Sequence, residues 1–159
     1  MSTITLNPKF ASGAALLLRA ALALGFLSAV ADRFGMWGAF GQPRVAWGNY
    51  ARFLEYTHTL NWFLPAGVIP LIGAVATGAE IILGVLLLVG WHTRTAALLS
   101  GILLTMFGVA MTIALGIKAP LDFSVFTAAG GAFLLATCQA FPYSLDQALS
   151  RSASSTTRA

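Results

Sequence analysis

Charge is scarce in this chain. Only 9% of its residues are Asp, Glu, Lys or Arg, against about a quarter in an ordinary soluble domain. The nine basic residues lie mostly in loops and ends, and they form no run dense enough to read nucleic acid or bind anionic lipid specifically. Cysteine is nearly absent: Cys138 stands alone, which excludes a disulfide within one chain and leaves the redox compartment open. The two histidines, His58 and His92, lie in or beside loops without Cys or Glu at ligand spacing, so no metal site is expected. Cys138 itself reads as a small packing residue rather than a persulfide or mixed-disulfide carrier.

What fills the chain instead is apolar. Hydrophobic residues make up 58% of it and the mean hydropathy is +0.82, which places it among integral membrane proteins. A spanning helix needs roughly 20 mostly apolar residues. Four stretches meet or approach that length, about 13–31, 67–91, 95–116 and 122–141. The expected fold is all-α: an antiparallel four-helix transmembrane bundle forming one domain over 1–145, with a polar, disordered tail over 146–159. Lys9 and Arg19 followed by Ala20 to Leu27 and Ala29-Val30-Ala31 also resemble a secretory signal. Charge as far in as Arg19 leaves that apolar region short, and the segment reads better as a retained helix.

Between the first two spans, Trp37, Trp47, Tyr50, Phe53, Tyr56, Trp62 and Phe63 mix with Arg44, Arg52, Glu55 and His58. This composition suits the headgroup layer and predicts an interfacial helix near Ala46 to Leu60, with a lid over a bundle site as the competing reading.

Glu80 lies inside an otherwise uncharged run from Gly67 to Trp91. Burying an ionisable side chain at such depth costs roughly 2.5 to 3.5 kcal/mol unless a partner relieves it. Gly73, Thr77, Glu80 and Gly84 share one helical face, so Glu80 is expected to point between helices. Arg19 lies on a small-residue face of the first helix and is the expected partner, within arginine's reach if the helices run antiparallel. Glu80, Arg19 and Thr77 are thus the candidate ligand or proton site. Unpaired, Glu80 could instead stay protonated and donate to a carbonyl such as a quinone oxygen. Asp32 and Arg33, closing the first helix, and Lys118 and Asp122, flanking the last turn between spans, form a second expected polar cluster.

These residues carry a resemblance. Arg19, the passage from Gly25-Phe26-Leu27 to Asp32-Arg33-Phe34-Gly35, Glu80-Ile81-Ile82-Leu83-Gly84 with Leu88-Val89-Gly90-Trp91-His92-Thr93-Arg94, and Lys118-Ala119-Pro120-Leu121 before Ser124-Val125-Phe126 together resemble the DoxX-like family of small bacterial membrane proteins. The resemblance implies a partner in redox or sulfur metabolism, since relatives include a subunit of thiosulfate:quinone oxidoreductase and a member of an oxidative-stress complex. None of the motifs is a catalytic signature.

The expectation is therefore an accessory subunit of a redox-associated complex in the bacterial inner membrane, not an independent enzyme. Its partners would be the bilayer and redox-complex subunits or further copies of itself, with quinone the one cofactor in view and no metal. A noncatalytic scaffold or assembly factor and a small proton-linked carrier are the alternatives. Lys9, Arg94, Arg151 and Arg158 fall on one side and Arg33, Arg44, Arg52 and Lys118 on the other, so loop charge does not decide orientation; the short Arg94 turn leans toward cytoplasmic termini.

Overall fold

A computed structural model describes residues 8–156, and every regular element among them is helical. In order these are α1 (Pro8–Arg33), α2 (Tyr50–Leu60), a 3-10 turn (Ala66–Val68), α3 (Ile69–Val89), α4 (Thr93–Leu115), α5 (Lys118–Asp122), α6 (Val125–Thr137) and α7 (Leu145–Thr156). Among the described residues, three helical segments are long and apolar enough to cross a membrane: Phe10–Arg33, Ala66–Val89 and Thr93–Leu115. The chain is therefore read as a multi-pass membrane protein.

Local chemistry ends each helix where it does. Gly35 takes a left-handed conformation after α1, and the N–H groups of Gly35 and Met36 reach back to the carbonyls of Asp32 and Ala31 at 3.0 Å each. That Schellman arrangement uses the orphan carbonyls of the last turn. Asn49 opens α2 by accepting from the Arg52 amide at 3.0 Å. Pro70 lies in the first turn of α3, where its missing N–H is not needed. At the other end of α3, left-handed Gly90 turns the chain into α4.

Lipid tails are as apolar as Leu, so helices meet in a membrane through residues that permit close approach. Ala15, Ala23, Ala96, Ala97 and Ala132 join Leu22, Phe26, Leu83, Leu87 and Leu135 in one core drawn from α1, α3, α4 and α6. Gly84 lies under Leu27 and Ala23, while Gly101 and Gly108 lie under the rings of Phe133 and Phe126. Arg19 lies against Gly90 as Leu27 lies against Gly84, so residue numbers rise along α1 as they fall along α3, and they rise along α4 as they fall along α6. Large apolar side chains such as Leu17, Val75, Ile82, Met106 and Leu134 face outward, as they can where lipid is the solvent.

Two expectations need correcting. The last apolar stretch is not a helix over 122–141. Ser124, in a left-handed conformation, separates α5 from α6, and Cys138 is already extended. The 13 residues of α6 rise roughly 20 Å, short of a ~30 Å hydrocarbon core. The polar tail also contains a helix, α7. Ser144 starts it by accepting from the Gln147 amide at 3.1 Å, and Gln147 Oε1 accepts from the Tyr143 amide at 3.2 Å. This reciprocal pattern closely follows a capping box, and it supplies locally what the segment lacks in apolar content. The tail's last three residues lie outside those described.

Candidate functional site

The charged residue at the end of α1, not the one near its start, meets Glu80. Arg33 Nη2 donates to Glu80 Oε1 at 2.7 Å and Oε2 at 2.8 Å, and Arg33 Nη1 donates to Thr77 Oγ1 at 2.8 Å. Arg33 and Glu80 retain only 3% and 1% of their surface, so neither has water as an alternative partner. Thr77 and Glu80 are three residues apart on α3, which places both on the side facing α1. Arg33 lies in the last turn of α1, where a cation also meets the negative end of the helix dipole.

α1 therefore ends beside the middle of α3 rather than beside its first residue. The upper part of α3 is covered by α2, with Leu54 and Phe53 against Gly73. A side chain placed at Gly73 would approach Leu54 Cδ2 to 2.5 Å, so only glycine admits this contact without displacement. Phe53 closes the site from above: the guanidinium carbon of Arg33 lies 3.9 Å from the centre of its ring and 5.3 Å from that of Trp47. A cation over a desolvated aromatic face is favourable by roughly 2 kcal/mol.

Asp32 holds the connecting loop. Its Oδ2 accepts from the amides of Ala46 and Trp47 at 2.9 and 3.0 Å, bringing the loop back over the end of α1 and setting Trp47 beside Phe53 and Tyr56. Asp32 Oδ1 and Arg33 Nε are buried without a partner among the described residues. One acceptor and one donor are thus the unused hydrogen-bonding capacity beside the pair.

The remaining expected site residues go elsewhere. Arg19 is buried, but it donates to the carbonyls of Pro142 and Tyr143 at 3.2 and 2.6 Å, a role that carbonyls invisible to sequence spacing provide. Lys118 and Asp122 pair with each other across one exposed helical turn, and no hydrogen bond or ion pair joins them to Asp32 or Arg33 among the described residues. The second polar cluster expected from sequence is therefore divided: Asp32 and Arg33 build the buried site, and Lys118 with Asp122 forms a separate exposed pair.

A groove of about 610 Å³ opens along the outer side of α1, lined by Leu24, Leu27, Ser28, Ala31, Phe34 and Trp37 among others. Trp37 Nε1 donates to the Ser28 carbonyl at 3.1 Å, holding the indole across the groove. Neither Glu80 nor Arg33 lines it. Among the described residues, no three His, Cys, Asp or Glu side chains gather where they could hold a metal ion. Compared with known proteins, the chain matches no family model, no curated protein and no solved structure.

Proposed function

We propose that this chain is a noncatalytic membrane subunit, an antiparallel bundle of three membrane-crossing helices and the shorter α6, whose Arg33–Glu80–Thr77 cluster specifies how α1, α2 and α3 pack. The observation that carries this reading is a bidentate ion pair in a closed place. Both carboxylate oxygens of Glu80 accept from Arg33 Nη2, Thr77 accepts from Nη1, and Phe53 covers the cation. A carboxylate engaged in this way has no oxygen directed at a substrate. Buried pairs of this type contribute register more reliably than net stability.

The resemblance to DoxX-like proteins extends the proposal to an accessory role beside redox-associated subunits in a bacterial inner membrane, with cytoplasmic termini. The test is mass spectrometry of complexes extracted gently from the native membrane, for wild type beside Glu80→Gln. Protein partners retained by wild type, with no specific small molecule, are expected. A quinone that leaves a folded Glu80→Gln protein would overturn the noncatalytic reading.

The second reading, a subunit that binds quinone or another apolar ligand, draws support from the α1 groove and from the unmatched Arg33 Nε, a donor that a ligand carbonyl reaching the cluster would satisfy. It requires the aromatic cover to move aside, and the same extraction experiment separates it from the first.

A further inference from the structure

The best-built feature outside the cluster is the attachment of α7. α4 begins after His92, its N-cap residue, which is left-handed and supplies no side-chain cap. A carboxylate from another helix caps it instead: Asp146 Oδ1 accepts from the His92 amide and Oδ2 from the Thr93 amide, both at 2.8 Å. The Asp146 amide returns a hydrogen bond to the Gly90 carbonyl at 3.1 Å. Arg19 holds the preceding carbonyls of Pro142 and Tyr143, and Ser144 packs so closely on Gly90 that a side chain there would approach it to 2.5 Å. The first turn of α7 is therefore locked to the turn between two membrane-crossing helices, which is where a bilayer's hydrocarbon gives way to headgroups.

The locked helix turns its apolar side away from the protein. Leu145 and Leu149, one helical turn apart, are 42% and 55% exposed, and Tyr143 and Trp91 beside the same turn are 82% and 49% exposed. The only acid in α7 spends both oxygens on backbone amides, and Arg94 and Arg151 are among the basic residues that the sequence places at this end. A short helix with its two leucines outward, flanked by exposed Tyr and Trp and fixed at the depth where spans end, is placed to lie in the interface.

We infer that α7 is a membrane-surface helix: Asp146 docks it at the α3–α4 turn so that Leu145 and Leu149 enter the headgroup layer of the bilayer. This does not depend on the redox reading; it requires only that α3 and α4 cross the membrane.

The test places an environment-sensitive NBD label at Leu149→Cys, and separately at Ser150→Cys on the neighbouring face, in full-length protein carrying Cys138→Ala. Both are measured in phosphatidylcholine–phosphatidylglycerol nanodiscs with and without headgroup-proximal doxyl lipid. The label at 149 is expected to emit to the blue of the label at 150 and to be quenched at least about twofold more strongly by doxyl lipid. Both positions are exposed, so neither change threatens folding. Water-like emission and equal quenching at the two positions would overturn the inference. So would a shielded label at 149 that doxyl lipid leaves unquenched, since a protein surface would then be its partner.

Discussion

Replacing Glu80 by Gln removes the charge opposite Arg33 without removing its volume. Arg33 then keeps Thr77 and the Phe53 ring but has no anion and no water, since only 3% of its surface is exposed. Breaking one side of a buried pair costs about 3–5 kcal/mol because the survivor is left uncompensated. The exposed Arg52–Glu55 pair, with side chains 48% and 62% accessible, is the internal control; such pairs contribute about 0–1 kcal/mol. Unfolding in lipid micelles by titration with a denaturing detergent, followed by far-UV circular dichroism, measures both. Glu80→Gln and Arg33→Met should each lose several kcal/mol, and the double variant should lose much less than their sum. A Glu80→Gln protein within about 1 kcal/mol of wild type would show that the pair does not hold the helices as the geometry requires.

Arg19→Met leaves the Pro142 and Tyr143 carbonyls without their donor and should cost about 1–3 kcal/mol, with the chain near Tyr143 becoming the first site cut in limited proteolysis. Gly101→Val should destabilise by about 1–3 kcal/mol, because a Cβ there lies 2.6 Å from the Phe133 ring. Gly78→Ala, with nothing within 4 Å, should be neutral or gain up to about 1 kcal/mol in the same unfolding assay. Burial works to raise the Asp146 carboxyl, but the Thr93 and His92 amides hold it below its ordinary value. Its contribution is therefore complete above the unfolded value of about 3.9 and is lost as pH falls through the lower folded one. Protease sensitivity of α7 should stay flat from about pH 7 to 5 and rise below about 4, whereas Asp146→Asn should be sensitive throughout.

The three long spans were legible because hydropathy and helix length are properties of contiguous sequence. Glu80 was legible because no other charge shares its run, and Thr77 because it lies on the same helical face. Arg33 was misplaced because a charge at a helix end is ordinarily read as facing water. Nothing in the local sequence says that α1 stops beside the middle of α3 with α2 folded over it. The aromatic run around Trp47 and Phe53 was the available signal, since those rings cover the cation instead of only facing headgroups. The partners of Arg19 are backbone carbonyls more than 120 residues away, which no side-chain pattern marks. The α7 start was readable in Ser144 and Gln147, but the low apolar content of the tail outweighed it.

Replacing both Arg33 and Glu80 at once with apolar residues separates a packing device from reaction machinery. Arg33→Met with Glu80→Leu removes the charge chemistry while filling the space, a change that buried pairs often tolerate. Native mass spectrometry of this double variant beside wild type is the measurement. If the pair only sets packing, the double variant folds and keeps the same partners. A folded double variant that has lost a small molecule held by wild type would contradict that role.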